Sequence, residues 1–416
     1  MYILGINAYH GGASACLIKD GQLIAAAEEE RFTRVKYWAG FPVRAIGYVL
    51  NEAGIAPQDL DHVGISRNPN ANLMKKALFT FSKRPNLNFV TDRLNNSLKV
   101  RDLKSAFCEK MGVESASLKA QFHNVEHHQA HLASAFFVSP FEEAAILSVD
   151  GMGDFLSTMW ATGKGSRFQV SGSVSFPHSL GIFYTAVTQW LGFPKYGDEG
   201  KGMGLAPYGK PIYIDEMRKI IRVQRDGTFE LDLDYFVHHA EGVTMTWNED
   251  EPKLGMLFSD KFVQAFGEPR APRSEASTGS AGPITGQHQN VAASLQAMLE
   301  EAEFALVRKL QRDTGQKTIC MAGGVALNSA FNGKILPETD FNDIYVRPAA
   351  GDAGTSLGVC YYIYHQMLGK PRTFVMNDAY TGPRYTNGRI EAALKEYNLT
   401  YKTCDEKELV KAAAEV

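Results

Sequence analysis

A short unit of strand, glycine turn and hairpin occurs twice in this chain, and it restricts the available folds more than any other feature. In the first copy residues 2 to 7 read as a buried strand, and Ala8-Tyr9-His10-Gly11-Gly12-Ala13-Ser14 is a small-residue turn before a second strand, Ala15 to Ile18. Lys19-Asp20-Gly21 predicts a tight primed turn, since Asp-Gly tolerates the positive φ such turns need, and Gln22 to Ala27 return as a third strand. The second copy runs from Ala144 to Asp150, through Gly151-Met152-Gly153-Asp154, into strands near Ser157 to Thr162 and Phe168 to Ser175 joined by Gly163-Lys164-Gly165. Copies about 140 residues apart predict two similar lobes facing across a cleft.

At 416 residues the chain exceeds one typical small domain. A formal net charge of -3 without a long basic run gives no electrostatic case for nucleic acid or an anionic membrane, so small-molecule partners are expected. Cys16, Cys108, Cys320, Cys360 and Cys404 are scattered, which argues against a disulfide framework or a thiolate zinc site and fits a reducing compartment. The N-terminus enters an apolar strand without a basic leader, and no apolar run approaches about 18 residues. The reading is a soluble cytoplasmic protein.

Chemistry is concentrated in Glu126-His127-His128-Gln129-Ala130-His131. His127 and His131 are four positions apart in a string that reads as helix, so two imidazoles share one face. Asp150, at the end of a strand, would add an anionic oxygen, and such mixed sets suit divalent iron, manganese or zinc. Asp352, at the tight turn Gly351-Asp352-Ala353-Gly354 before a helix, is the candidate fourth ligand. The same residues also fit a histidine-rich helix end with one solvated and two hydrogen-bonded histidines, and an ordinary Asp cap.

Other stretches place the elements. Pro42 opens a helix with Ala45, Ile46, Val49 and Leu50 on one face and Gly54 as its stop. Residues 70 to 120 are mostly helical in pattern. Ser179 or His178 starts a helix to Leu191, Gly267 to Gln289 reads as a loop, and a long amphipathic helix runs from Asn290 to Gly315. Tyr196 to Gly209 packs glycines around Lys201, a weak phosphate signal or a flexible surface loop. A strand at Thr318 to Met321 enters Ala322-Gly323-Gly324-Val325-Ala326-Leu327-Asn328, where a double glycine permits close approach of a nucleotide. Lys201, Gly323, Gly324 and Asn328 are therefore the nucleotide-binding candidates.

The two-lobe layout is that of the actin-like ATPase superfamily, a duplicated α/β fold around a nucleotide cleft. Seven ordered motifs sharpen this: His-Gly-Gly-Ala-Ser-Ala, Glu-Glu-Glu-Arg-Phe-Thr-Arg, His-His-Gln-Ala-His, Asp-Gly-Met-Gly-Asp, Gly-Asp-Glu-Gly-Lys-Gly-Met-Gly-Leu-Ala-Pro-Tyr-Gly, Gly-Gly-Val-Ala-Leu-Asn and Gly-Asp-Ala-Gly-Thr. Together they resemble the O-carbamoyltransferase family of nodulation-factor and antibiotic biosynthesis, from residue 1 to about residue 370. The resemblance implies a Kae1-like domain over 1–370, with lobes of about 1–140 and 141–370, binding ferrous iron, Fe2+, through His127, His131, Asp150 and Asp352. It implies a carbamoyl donor, carbamoyladenylate, made from carbamoyl phosphate and ATP by a YrdC-like domain, with transfer to a small-molecule alcohol. His10, Lys36 and Asp198 are the implied catalytic residues, with His10 or Asp198 taking the hydroxyl proton, and a homodimer is a family expectation. Residues 371–416 would be an incomplete start of the YrdC-like domain, and a chain ending there would carry out transfer when supplied with carbamoyladenylate. The alternatives are a threonylcarbamoyl transferase of the Kae1 type acting on tRNA, and a non-catalytic nucleotide-binding module needing a partner domain.

Overall fold

Short apolar runs, too short for helices and bounded by glycine turns, become the central strands of two sheets. The computed structural model describes residues 1–83, 102–243, 245–246, 251–272 and 281–415, which divide into two compact units, Met1–Thr381 and Gly382–Val416. In the first unit, β1 (Tyr2–Asn7), β2 (Ser14–Lys19), β3 (Gln22–Glu28), β4 (His62–Ile65) and β5 (Gln121–Asn124) form a sheet of order β3-β2-β1-β4-β5. Strands β1, β2 and β3 pair antiparallel, while β1, β4 and β5 pair parallel. The second sheet uses β6 (Glu143–Gly153), β7 (Leu156–Lys164), β8 (Arg167–Ser175), β9 (Thr318–Ala322) and β10 (Asp343–Val346). Its order, β10-β9-β6-β7-β8, repeats the same sequence of antiparallel and parallel pairings. The duplication expected from the two hairpin units is therefore present as one topology built twice, a duplicated α/β fold.

Local chemistry explains the element ends. The first hairpin turns at Asp20 and Gly21, with φ of 50° and 83°, the positive pair a primed turn requires. Helix α1 (Val43–Ala53) buries Ala45, Ile46, Val49 and Leu50 and stops at Gly54 in the left-handed conformation, as its periodicity predicts. After it come α2 (Leu73–Lys83), α3 (Leu103–Met111), α4 (His127–Phe136), α5 (Leu180–Trp190) and α6 (Glu199–Leu205). The chain then forms α7 (Gly286–Thr314), α8 (Ser329–Glu338) and α9 (Thr355–Tyr361). The part of the helical reading that covers 84–101, and the part of the loop reading that covers 273–280, lie outside the described residues.

Two expectations change. Helix α7 begins at Gly286, four residues before Asn290, because the Thr285 backbone N–H donates to His288 Nδ1 at 3.0 Å and caps the first turn. Residues 199–205, expected as an open glycine loop, are helical. Gly202 is buried there against Thr188, and a Cβ at Gly209 would lie 2.0 Å from the Gln289 carbonyl oxygen, so these glycines permit close packing on α5 and α7. The unit Gly382–Val416 holds two helices, Asn387–Glu396 and Glu406–Ala414, neither with a buried residue.

The seam of the larger unit is made by α4 and α9. Gly358 of α9 approaches α4 so closely that a Cβ would lie 1.9 Å from the Ala130 carbonyl oxygen, and Gly5 of β1 meets the Ser356 carbonyl oxygen equally closely. All five cysteines are free thiols, and among the described residues no helix is long and apolar enough to cross a membrane.

One residue in this core gives a pH-dependent prediction. Glu303 on α7 is fully buried, and neither carboxylate oxygen has a hydrogen-bond partner among the described residues. Burial, then the neighbouring Glu300, hold its pKa well above the usual 4.5, so the folded chain keeps a proton that the unfolded chain releases. Stability therefore falls as pH rises past 4.5. Glu303→Gln is expected to be more stable than the wild type by at least about 1 kcal/mol at pH 8, with the gap closing near pH 4. Urea unfolding at both pH values checks this, and a gap independent of pH rejects it.

Candidate metal centre and substrate cavity

Helix α4 starts at the histidines because Glu126 caps it, its carboxylate accepting the Gln129 N–H at 2.7 Å from extended backbone. His127, His128 and His131 are all buried. His128 turns to β6 and pairs through Nδ1 with Ser148 Oγ at 2.9 Å. The other two face one another, with Nε2 atoms 3.1 Å apart. Asp150 Oδ2, from β6, lies 3.2 Å from His127 Nε2 and 3.8 Å from His131 Nε2. Asp352 Oδ1, at the turn before α9, lies 3.4 Å from each.

These four donors lie within 4.8 Å of one another. Nitrogen and oxygen ligands roughly 2.0–2.2 Å from one ion must sit about 3.0–3.6 Å apart, so the nearest spacings are those of a coordination shell. Two ring nitrogens at 3.1 Å can share one proton at most, whereas one cation satisfies both and the two carboxylates. Asp352 caps no helix with its side chain. Burial alone would lower the pKa values of both imidazoles, but hydrogen bonds to Asp150 and Asp352 raise them, His127 to well above its ordinary range. Burial opposes ionisation of Asp150, and the two histidines nevertheless hold it well below the usual carboxylate range. Asp352, opposed by burial and by the Asp150 charge, is also held low by them. The cluster is built to surround positive charge.

The double glycine acts on this cluster directly. Gly323 has φ of 94°, and a Cβ there would lie 2.1 Å from the Val149 carbonyl oxygen. It thereby delivers the Gly324 N–H to Asp150 Oδ1 at 2.8 Å. Asn328 spends its side chain inside the protein: it caps α8 through the Phe331 N–H at 3.0 Å and exchanges hydrogen bonds with Gln296. His10, in the turn after β1, lies beside the cluster, its ring stacked on His127 at 5.4 Å and its Nδ1 3.8 Å from Asp352 Oδ2. Burial, then the Arg67 charge, lower its pKa to about 3, so the ring is neutral at physiological pH.

Lys36, Asp198 and Lys201 come together elsewhere, on a cavity of about 520 Å³ that also takes in Arg34, Lys195 and Glu251. Lys201 Nζ meets Asp198 Oδ1 at 2.6 Å, and Asp198 Oδ2 accepts the Lys195 N–H at 3.2 Å. Tyr196 joins the two regions. It lines the cavity and packs edge-on against Tyr37, and its ring covers Gly11, where a Cβ would come within 2.6 Å. Burial, then the Asp352 and Asp150 carboxylates, push its phenol well above the usual range. Arg34, Arg67, Lys195 and Tyr196 were not chosen from the sequence. Arg34 closes the Glu-Glu-Glu-Arg-Phe-Thr-Arg motif, and Arg67 follows the apolar run of β4 at its C-terminal end, where ligand crevices form in α/β sheets.

The fold and this centre define a duplicated α/β protein with a buried two-histidine, two-carboxylate cluster beside a cationic cavity. Comparison with known families makes the assignment specific: residues 2–361 match the model for the carbamoyltransferase N-terminus, and the chain belongs to the carbamoyltransferase family. It is 39% identical over 405 residues to an uncharacterized protein of Synechocystis sp., covering 95% of this chain and 62% of that one. It is 32% identical over 402 residues to the nodulation protein NolNO of Sinorhizobium fredii, covering 95% of this chain and 53% of the relative. The chain thus spans between half and two thirds of the length of these relatives. Among solved structures, full-length HypF in the phosphate- and nucleotide-bound form is similar with a TM-score of 0.44 and 11% identity, over 88% of this chain and 55% of that one.

Two glycines predict opposite outcomes. A Cβ at Gly153 would lie 2.0 Å from the His127 ring, so Gly153→Ala is expected to cost roughly 1–3 kcal/mol. Gly200, inside α6 with nothing within 4 Å of its Cβ position, is expected to gain up to about 1 kcal/mol on change to Ala. Chemical denaturation of both variants checks the contrast.

Proposed function

We propose that this chain carries out the transfer step of an O-carbamoylation, moving a carbamoyl group from carbamoyladenylate, itself made from carbamoyl phosphate and ATP, to a hydroxyl of a small-molecule alcohol. The observation that carries the reading is that Tyr196 joins a cavity lined by Arg34, Lys36, Lys195 and Lys201 to the four-donor cluster, which has the neutral His10 stacked beside it. Membership of the carbamoyltransferase family supports the group transferred.

His127, His131, Asp150 and Asp352 would hold Fe2+ or another divalent ion, which when bound supplies Lewis acidity toward carbonyl or phosphate oxygens. The remaining work belongs to the side chains. Lys36 and its neighbours hold the anionic phosphate of the donor. A neutral imidazole carries one acceptor nitrogen, and His10 is assigned as acceptor of the hydroxyl proton. The acceptor oxygen bonds to the carbamoyl carbon, the bond from that carbon to the phosphate oxygen breaks, and AMP leaves with the electron pair. Asp198 is assigned to orient Lys201 and the 195–198 turn at the cavity wall, since both of its oxygens are engaged there. Gly323 and Gly324 serve nucleotide binding through the loop that also holds Asp150.

The test uses anaerobically purified protein, elemental analysis, and AMP release from preformed carbamoyladenylate with a panel of sugars and aminoglycosides. About one metal per chain, lost in His127→Ala, is expected. His10→Asn should keep the metal and lose about 10²- to 10⁴-fold in kcat. Absence of metal from the wild type together with absence of acceptor-dependent AMP release rejects the proposal.

A further inference from the structure

Asp154 closes the Asp150-Gly151-Met152-Gly153-Asp154 run, and the reaction proposed above gives it no role. Its surroundings are nevertheless specific. One carboxylate oxygen, Oδ2, accepts two backbone N–H groups, from Asn68 at 2.7 Å and from His127 at 3.0 Å. The second is the first amide of α4, a donor that no helical carbonyl can satisfy. The Asp154 carbonyl in turn accepts from Asn72 Nδ2 at 2.9 Å.

The backbone here is left-handed at three non-glycine residues, Asn72, Asp154 and Phe155, with φ of 56°, 46° and 77°. Such conformations persist where surrounding contacts over-determine them. Phe155 is held by Phe79 of α2 and by Phe176, with ring centroids 5.7 and 5.5 Å away. Gly153 lies against the imidazole of His127, with no room for a side chain between them. The turn therefore fixes both the ring and the backbone of His127, and the segment from Asn68 to Phe79 fixes the turn.

We infer that Asp154 is a positioning residue for the metal centre: its carboxylate anchors the first amide of α4 so that His127 Nε2 meets Asp150 and Asp352. The inference rests on the metal reading given above. It differs from a purely structural role for Asp154 in what substitution does. Glycine suits a φ of 46° better than aspartate, so Asp154→Gly removes the anchor while relieving the backbone.

The experiment is an anaerobic Co2+ titration of the full chain, followed by the visible absorption of the bound ion, for wild type, Asp154→Gly and Asp154→Asn. The metal-free forms are melted in parallel. The wild type is expected to bind one Co2+. Asp154→Gly is expected to bind it 10- to 100-fold more weakly, the usual effect of losing a partner that orients a ligand, with a changed absorption spectrum and a metal-free melting temperature no lower than that of the wild type. Asp154→Asn keeps an acceptor oxygen and tolerates the same φ, so it should recover part of the affinity. Equal Co2+ affinity in wild type and Asp154→Gly overturns the role of Asp154 and leaves the metal centre standing. A wild type that binds no Co2+ overturns both. A metal-free Asp154→Gly that melts well below the wild type overturns the positioning role in favour of a structural one.

Discussion

Everything at the centre depends on how closely two helix backbones approach. Helix α9 touches β1 at Gly5 and α4 at Gly358, in each case with no space for a methyl group. That contact brings His127 and His131, which belong to α4, to Asp352, which belongs to the turn entering α9. Asp150 arrives from the second sheet, and Gly324 steadies it. Four donor atoms from three separate elements thus converge without a long side chain among them.

The same contact explains why the cluster can be so deeply buried. Two carboxylates removed from water carry a heavy desolvation cost, which is recovered only where opposite charge and hydrogen bonds are already in place. Here the surroundings supply both: imidazoles at 3.2 to 3.8 Å and a backbone N–H at 2.8 Å. His10, beside them, is kept neutral by burial and by Arg67, so the region sets an uncharged imidazole within one ring-stacking distance of a charged cluster.

Much of this was legible in the chain because it is local. Periodicity and a glycine stop placed α1, and the two hairpin units predicted the duplicated sheet. The i, i+4 spacing of His127 and His131, with Asp150 at a strand end, named residues that do converge. Less legible was the conformation that glycines take. Gly200, Gly202 and Gly204 read as a weak phosphate signal or a flexible surface loop, yet the segment is a helix, because a glycine that allows ligand approach and one that allows helix packing look identical in sequence. Gly323 posed the same ambiguity, and its nearest neighbour is the Val149 carbonyl. Arg67 and Tyr196 escaped notice because their meaning lies in contacts across the fold, which no local pattern encodes.

The Gly358 contact also has a mechanical consequence. A helix touching backbone on two sides cannot tilt without collision, so α9 and α4 hold the two sheets at a fixed separation. Toward the cavity the halves meet through side chains, where Tyr37 from one packs edge-on against Tyr196 from the other, 5.2 Å between centroids, and against Gly197. The four-donor cluster therefore takes its spacing from backbone contact, whereas the cavity takes its shape from side chains.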